Sequence, residues 1–291
     1  MQVPASVDYE RATSLSHAIE LLERHGPEAR IVAGGHSLLP MMKLRLIQPE
    51  VLIDINDLSE LSYIKIEGNE LRIGAMARHA ELLSSPLVGE HFPIIVEAEK
   101  VIADPIVRNR GTVGGSLCQA DPSEDLSAVF SALKAKLVIQ GSHGSRTVDA
   151  TSFHDGPYST VVSSDEILIE VKIPIRPGCG CAYEKVERRV GDWAIAAVGA
   201  AVYIEAGVIH DAGIGLTAVG SEHFNAPEAE AYLAGKSPSP ELISEAARLA
   251  AENCHPSADQ RGPEDYKRHL VQVLTERALT TSVERATRGG F

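Results

Sequence analysis

The chain twice runs a short β-branched stretch into two adjacent glycines, sets a serine directly or one residue behind them, and then begins a helix-like segment. The first occurrence is VAGGHSLLPM (Val32–Met41) and the second is TVGGSLCQA (Thr112–Ala120). Glycine pairs permit positive φ and let a ligand approach the backbone closely. Amides exposed by such a turn point outward together as an anion nest, and a helix N-terminus behind them adds partial positive charge. One such turn is more often an ordinary turn than a phosphate site. Two of the same design suit a ligand with two phosphates, held from both sides, which describes a dinucleotide. Asp125, just beyond the second turn, is placed either to meet a ribose or ribityl hydroxyl or to occupy a helix first turn, where the helix dipole favours a carboxylate. The common nucleotide fingerprints are absent: no G-x-G-x-x-G occurs, and AGKS (Ala234–Ser237) has Glu230 where a P-loop needs glycine.

The segments around these turns alternate strand and helix signals. Leu15, Ile19 and Leu22 form a helical stripe with Ser14 as a cap and Gly26 as a stop. ARIVA (29–33) and EVLIDI (50–55) read as strands, and Ser37 as the cap of a helix over 38–46, which makes a β-α-β-like unit. Further on, 70–75 reads as a strand, 91–103 and 123–135 as helices, and KLVIQ, TVVSS and EILIEVKIP as strands. RPGCG (176–180) marks the clearest boundary. Beyond it two strands turn around Glu205-Ala206-Gly207, and two amphipathic helices close the chain. The predicted class is α+β, with a larger N-terminal domain over 1–176 (subdomains about 1–56 and 57–176) and a smaller sheet-plus-helices domain over 177–291.

With 291 residues the chain is long enough for one large domain or two ordinary ones, and its net charge of −13 argues against a nonspecific grip on nucleic acid or on an anionic membrane. The longest uncharged apolar stretch, WAIAAVGAAVYI (193–204), is too short to span a bilayer, and the N-terminus has no signal pattern. A cytoplasmic protein, or one peripheral to the inner membrane face, is expected. The four cysteines (Cys118, Cys179, Cys181, Cys254) offer one close pair and no second pair or neighbouring histidine, so reduced, idle thiols are expected rather than a metal or iron–sulfur set.

The residues AGGHSLLPMMKLRLIQPEVLIDI and RNRGTVGGSLCQADPSEDLSAV together resemble the two FAD-pyrophosphate motifs of the medium, flavin-binding subunits of molybdenum hydroxylases, the carbon monoxide dehydrogenase and xanthine dehydrogenase family. YEKVERRVGDWAIAAV (183–198) resembles a third segment of that family, and the likeness runs along nearly the whole chain. It implies a p-cresol methylhydroxylase-type FAD domain of two α/β subdomains, with FAD bound non-covalently, followed by a small sheet-plus-helices domain. Carried over residue by residue, Ala33, Gly34, Gly35, His36 and Ser37, flanked by Val32 and Leu38, match the first loop. Thr112, Gly114, Gly115 and Ser116 match the second, and Asp125 matches an acidic flavin contact. Ile169 matches a position whose backbone meets the flavin ring, and Lys185 a basic residue near it. Trp193 stands where the family often has tyrosine; it either gates the ring or packs as a strand residue in the small domain's core. Cys118-Gln119 departs from the family's common Ala-His, so no histidine role is expected there.

The chain shows no catalytic triad and no metal-ligand set, so the resemblance implies that substrate is oxidised on another polypeptide. A large subunit with the molybdenum cofactor and a small subunit with two [2Fe–2S] clusters are the implied partners, in a heterotrimer that dimerises. Two other classes remain open: a stand-alone FAD-dependent reductase of the same fold, and a non-catalytic assembly subunit.

Overall fold

The computed structural model describes residues 3–288. Its N-terminal unit is a three-stranded parallel sheet with one helix against it. β1 (Asp8–Arg11) is followed by α1 (Leu15–His25), β2 (Ala29–Val32), α2 (Leu38–Lys43) and β3 (Val51–Asp54), in the order β1-β3-β2. α1 forms as its sequence dictates: Ser14 accepts from His17 N, Gly26 leaves at φ 58°, and Ala18, Ile19, Leu21 and Leu22 are buried against the sheet. α2 is shorter than predicted and is not capped by Ser37, whose own backbone is already helical and whose side chain makes no cap bond. Gly35, at φ 76°, swings the chain so that its carbonyl takes Leu39 N instead, and Arg45 at φ 57° ends the helix early.

The second unit packs helices on an antiparallel sheet. β4 (Ile64–Glu67) and β5 (Glu70–Gly74) lead to α3 (His79–Ser84), α4 (Pro86–His91), α5 (Pro93–Val101), α6 (Pro105–Arg108), α7 (Val113–Gln119) and α8 (Asp125–Ala132). β6 (Lys136–Gly141), β7 (Gly144–Asp149), the short pair β8 (His154–Gly156) and β9 (Ser159–Thr160), and β10 (Ile167–Pro174) complete it, with sheet order β4-β5-β10-β6-β7. The helix predicted over 91–103 is present as α5 but starts only after a break at Phe92: a residue before proline is pushed out of the helical region, and Pro93 then opens α5. TVVSS is not a strand beyond Thr160; Ser163 N turns back to Glu166 Oε2. Between β10 and β6 the register shifts from Leu168 to Glu170, which puts Ile169 in a bulge.

The third unit is an antiparallel sheet of β11 (Cys179–Glu187), β12 (Ala194–Glu205) and β13 (Val208–Thr217), followed by α9 (Pro227–Leu233), α10 (Pro240–Glu252) and α11 (Glu264–Thr287). The predicted hairpin at 205–207 is present, with Ala206 and Gly207 both at positive φ. β11 is a third strand that the sequence pattern hid, because its first five residues are all buried and show no alternation. β12, the first of the two expected strands, is buried over ten consecutive residues. Ala196, Val198, Ala200 and Val202 share a core with α11 and, behind it, α10, while Ala197, Ala201 and Tyr183 join the core of the second unit. α8 lies on β13 through Gly213 and Gly215, where a Cβ would run into the carbonyls of Ala132 and Ala128. One apolar core thus crosses the chain segment 174–179 without a break. No helix of the described residues is long and apolar enough to cross a membrane.

Candidate functional site

β2 ends at Val32, and the backbone of Gly34, Gly35, His36 and Ser37 then turns ahead of α2. The amides of these four residues have no hydrogen-bond acceptor among the described residues. His36 folds its ring back towards Gly34 O at 3.2 Å, so it serves the turn. Gly34 is buried, and a Cβ there would strike the carbonyl of Arg110 and Cα of Gly111. Alanine is therefore excluded by the neighbouring loop, and the first glycine motif lies directly against the segment that leads into the second. Asn56 ties the base of the loop down: its Nδ2 donates to Ala33 O at 2.7 Å, and its Oδ1 accepts from Arg78 Nη2 at 2.9 Å. Arg78 also donates to the Arg110 carbonyl. Burial lowers the pKa of Arg78, and the neighbouring positive charge of Arg110 lowers it further. A row of free amides is a donor set for an anionic group such as a diphosphate, and the charge of Arg78 at the base of the loop favours an anion there.

The second glycine pair is built differently from the turn that the sequence suggested. Gly114 and Gly115 have no positive φ; they form the first turn of α7, with Thr112 as the N-cap accepting from Gly115 N. Val113 N, Gly114 N and Ser116 N are bonded to Ala77 O, Ala75 O and Thr112 O. Gly114 is needed because the backbone passes Ala75 closely, a Cβ there falling 2.7 Å from that of Ala75. Gly115 is exposed, and Ser116 is half-buried with its Oγ 2.9 Å from His79 Nε2. The two motifs therefore make an asymmetric pair, free amides on one side and a hydroxyl at a helix start on the other.

Asp125 is the first residue of α8 and is 5% exposed. Its Oδ1 accepts from Tyr183 OH at 2.5 Å and its Oδ2 from Lys185 Nζ at 3.0 Å. Burial raises the Asp125 pKa against the pull of Lys185 and Tyr183, and burial together with the Asp125 charge pushes Tyr183 well above the usual phenol range. Tyr183 and Lys185 come from β11, so the carboxylate joins the second unit to the third. Ile169 stands in the bulge of β10, where the extra residue leaves the ladder, and its carbonyl accepts from Ala75 N. Trp193 is 47% exposed and precedes β12, so it is not a strand residue of the small core. Gln119 Nε2 reaches Met41 Sδ at 3.3 Å, which links α7 to α2.

Sequence reasoning missed Arg78, His79, Glu99 and Tyr183. Arg78-His79 follows the strand predicted over 70–75 with two residues between, and that placement at the end of a strand is the signal that could have flagged it. Glu99 lies inside an apolar helix and carried no signal beyond being a carboxylate at a position that turns out fully buried.

Comparison with known proteins finds relatives along nearly the whole chain. Residues 5–176 match the family described as the FAD binding domain in molybdopterin dehydrogenase, and residues 181–282 match the CO dehydrogenase flavoprotein C-terminal domain. The carbon monoxide dehydrogenase medium chain of Hydrogenophaga pseudoflava is 40% identical over 284 residues, covering 97% of this chain and 99% of the relative. The glyceraldehyde dehydrogenase medium chain of Sulfolobus acidocaldarius is 37% identical, covering 95% and 98%. Among solved structures, the H. pseudoflava carbon monoxide dehydrogenase that lacks the Mo-pyranopterin moiety of its molybdenum cofactor contains a chain that superposes with a TM-score of 0.94 at 42% identity, covering 97% of this chain and 99% of that one.

Proposed function

Since this chain belongs to the FAD-binding medium chains of the carbon monoxide dehydrogenase and xanthine dehydrogenase family, oxidoreductase subunits of molybdenum hydroxylase complexes, we propose that it carries electrons through FAD from the iron–sulfur clusters of a small partner subunit to an external acceptor. The substrate would be oxidised at the molybdenum cofactor of a large partner subunit, in a heterotrimer that dimerises. The acceptor is a quinone, NAD or dioxygen, and the complex works in the cytoplasm or at the inner membrane face. Bound FAD supplies a store for two electrons between one-electron donors and that acceptor.

The chain's own residues hold and screen. The observation that carries the reading is the row of unbonded amides at Gly34, Gly35, His36 and Ser37, flanked by Val32, Ala33 and Leu38, with Arg78 tied to the base of the loop through Asn56 and the Arg110 carbonyl. These donors would take one side of the diphosphate, and Ser116, at the helix start made by Thr112, Gly114 and Gly115, the other. Ile169 would offer backbone from its bulge to the ring. Asp125, fixed by Tyr183 and Lys185, would orient the polyol chain, and Trp193 would cover the ring edge. The division into a FAD domain ending at 176 and a C-terminal domain from 177 is part of the same proposal.

An absorption spectrum of the purified chain, before and after heat release of the flavin, tests it. Flavin bands that leave wholly as FAD support the reading. A colourless chain that takes up no added FAD overturns it in favour of an assembly role. Gly35→Tyr should lose FAD retention, because Gly35 sits at φ 76° with Leu39 3.1 Å from a Cβ, while the third unit keeps its fold. Normal flavin content in that variant counts against the loop. Co-purification with two partner chains separates the proposed role from a stand-alone reductase.

A further inference from the structure

Behind Ser116 stands a buried pair with no part in the phosphate loop itself. His79 opens α3 and is 2% exposed; Glu99, on α5, is fully buried. Nδ1 of His79 lies 3.0 and 3.1 Å from the two carboxylate oxygens of Glu99, and Nε2 lies 2.9 Å from Ser116 Oγ. Space for the ring is reserved: a Cβ at Gly111 would fall 2.8 Å from His79 Cδ2. The charged groups facing the pair come from three directions. Arg78 and Glu81 flank it on its own helix, Arg108 acts on Glu99 from α6, and Glu124 and Asp125 face it from the start of α8, the latter held by Lys185.

We propose that His79, fixed by Glu99, is a positioning residue for the FAD diphosphate: it donates from Nε2 to Ser116 Oγ and so releases the Ser116 hydroxyl proton for donation to a phosphate oxygen. The proposal rests on the reading that Ser116 meets FAD. Glu99 engages Nδ1, so the only open question at the ring is whether Nε2 carries a proton. With it, Ser116 accepts from the ring and turns its own O–H outward. Without it, Ser116 donates inward to Nε2 and presents lone pairs to the anion, which repels. Burial alone would lower the His79 pKa, but the charge and hydrogen bond of Glu99, with Glu124 and Asp125 behind, raise it, so the ring keeps both protons beyond the usual histidine range. The anion and the proton then favour each other: FAD affinity is highest below the His79 pKa and falls as pH rises through it, and bound FAD raises that pKa further.

The test is the dissociation constant of FAD for the full apo-chain, read by flavin fluorescence from mildly acid to mildly alkaline pH. The FAD diphosphate exchanges no proton in that range. The wild-type chain should lose roughly 10- to 100-fold in affinity across one proton's titration, the usual worth of a hydrogen bond to a charged group. Ser116→Ala should bind weakly with a flat profile, and His79→Gln should be weak and flat as well. Glu99→Gln, which removes the charge beside the ring, should move the midpoint to lower pH, and this holds the proposal testable even if the His79 variant misfolds. Tight binding by the wild-type chain with no pH dependence, or an unmoved midpoint in Glu99→Gln, overturns the positioning role and leaves FAD binding standing. Failure of the wild-type chain to take up FAD at any pH overturns both.

Discussion

Glu124 shows how a single buried acid can set a pH response in this fold. It caps α8, accepting from Leu126 N at 3.0 Å and Ser127 N at 2.6 Å, and it also takes the Ser127 hydroxyl. Burial nevertheless pushes its pKa up from 4.5 to about 7, with the neighbouring Asp125 charge adding to the shift. An acid whose pKa is higher folded than unfolded stabilises the fold fully at pH below its unfolded value, and that contribution disappears as pH rises through the folded value. The shift corresponds to about 3 kcal/mol. Urea denaturation of the wild type and Glu124→Gln should therefore show a stability difference that moves against the wild type by about this much between acid and weakly alkaline pH. A difference that stays constant with pH would show that the carboxyl does not titrate in the folded chain.

At the scale of elements, contact between α8 and β13 decides where the Asp125 carboxylate stands. Gly213 and Gly215 let the helix backbone lie on the strand, so Gly215→Val should push α8 away at a cost of about 1–3 kcal/mol and weaken FAD binding with it. The control is Gly89→Ala, a helical glycine whose Cβ would meet nothing within 4 Å and which should be neutral or slightly stabilising. A Gly215→Val variant as stable as the Gly89→Ala control would mean that the seam adapts. The same seam explains what the sequence could and could not reveal. α1, β3 and the hairpin at 205–207 were legible because periodicity, caps and turn residues all agree locally. β11 was hidden because it is covered on both sides, and the break at Phe92 because one pre-proline residue outweighs an apolar stripe. In the site, the glycines of both motifs announced themselves, but their reasons differ: Gly35 needs its positive φ, whereas Gly34 and Gly114 yield room to neighbouring backbone. The buried partners Glu99 and Tyr183 were invisible because only the tertiary fold removes them from water.

For the whole molecule, the continuous core and the Asp125–Lys185 ion pair, with side chains 5% and 3% exposed, bind the third unit to the second. Calorimetry should accordingly show those two units melting in one cooperative transition, raised by added FAD through mass action. Two separated transitions would mean that the shared core is not shared energetically. The net charge of −13 makes the local cationic pair at Arg78 and Arg110 the more telling, since the protein's overall field repels the anion that this site is proposed to hold. The order in which the parts leave the ribosome has its own consequence. The Gly34 loop is synthesised early, but the wall it rests on is Arg110–Gly111, and the cation that fixes Asp125 follows it by 60 residues. A nascent chain therefore displays its anion-seeking loop long before it can close a site around anything. On the proposed reading of the site, cofactor loading waits for the emergence of β11 rather than for the motif that first announces the site.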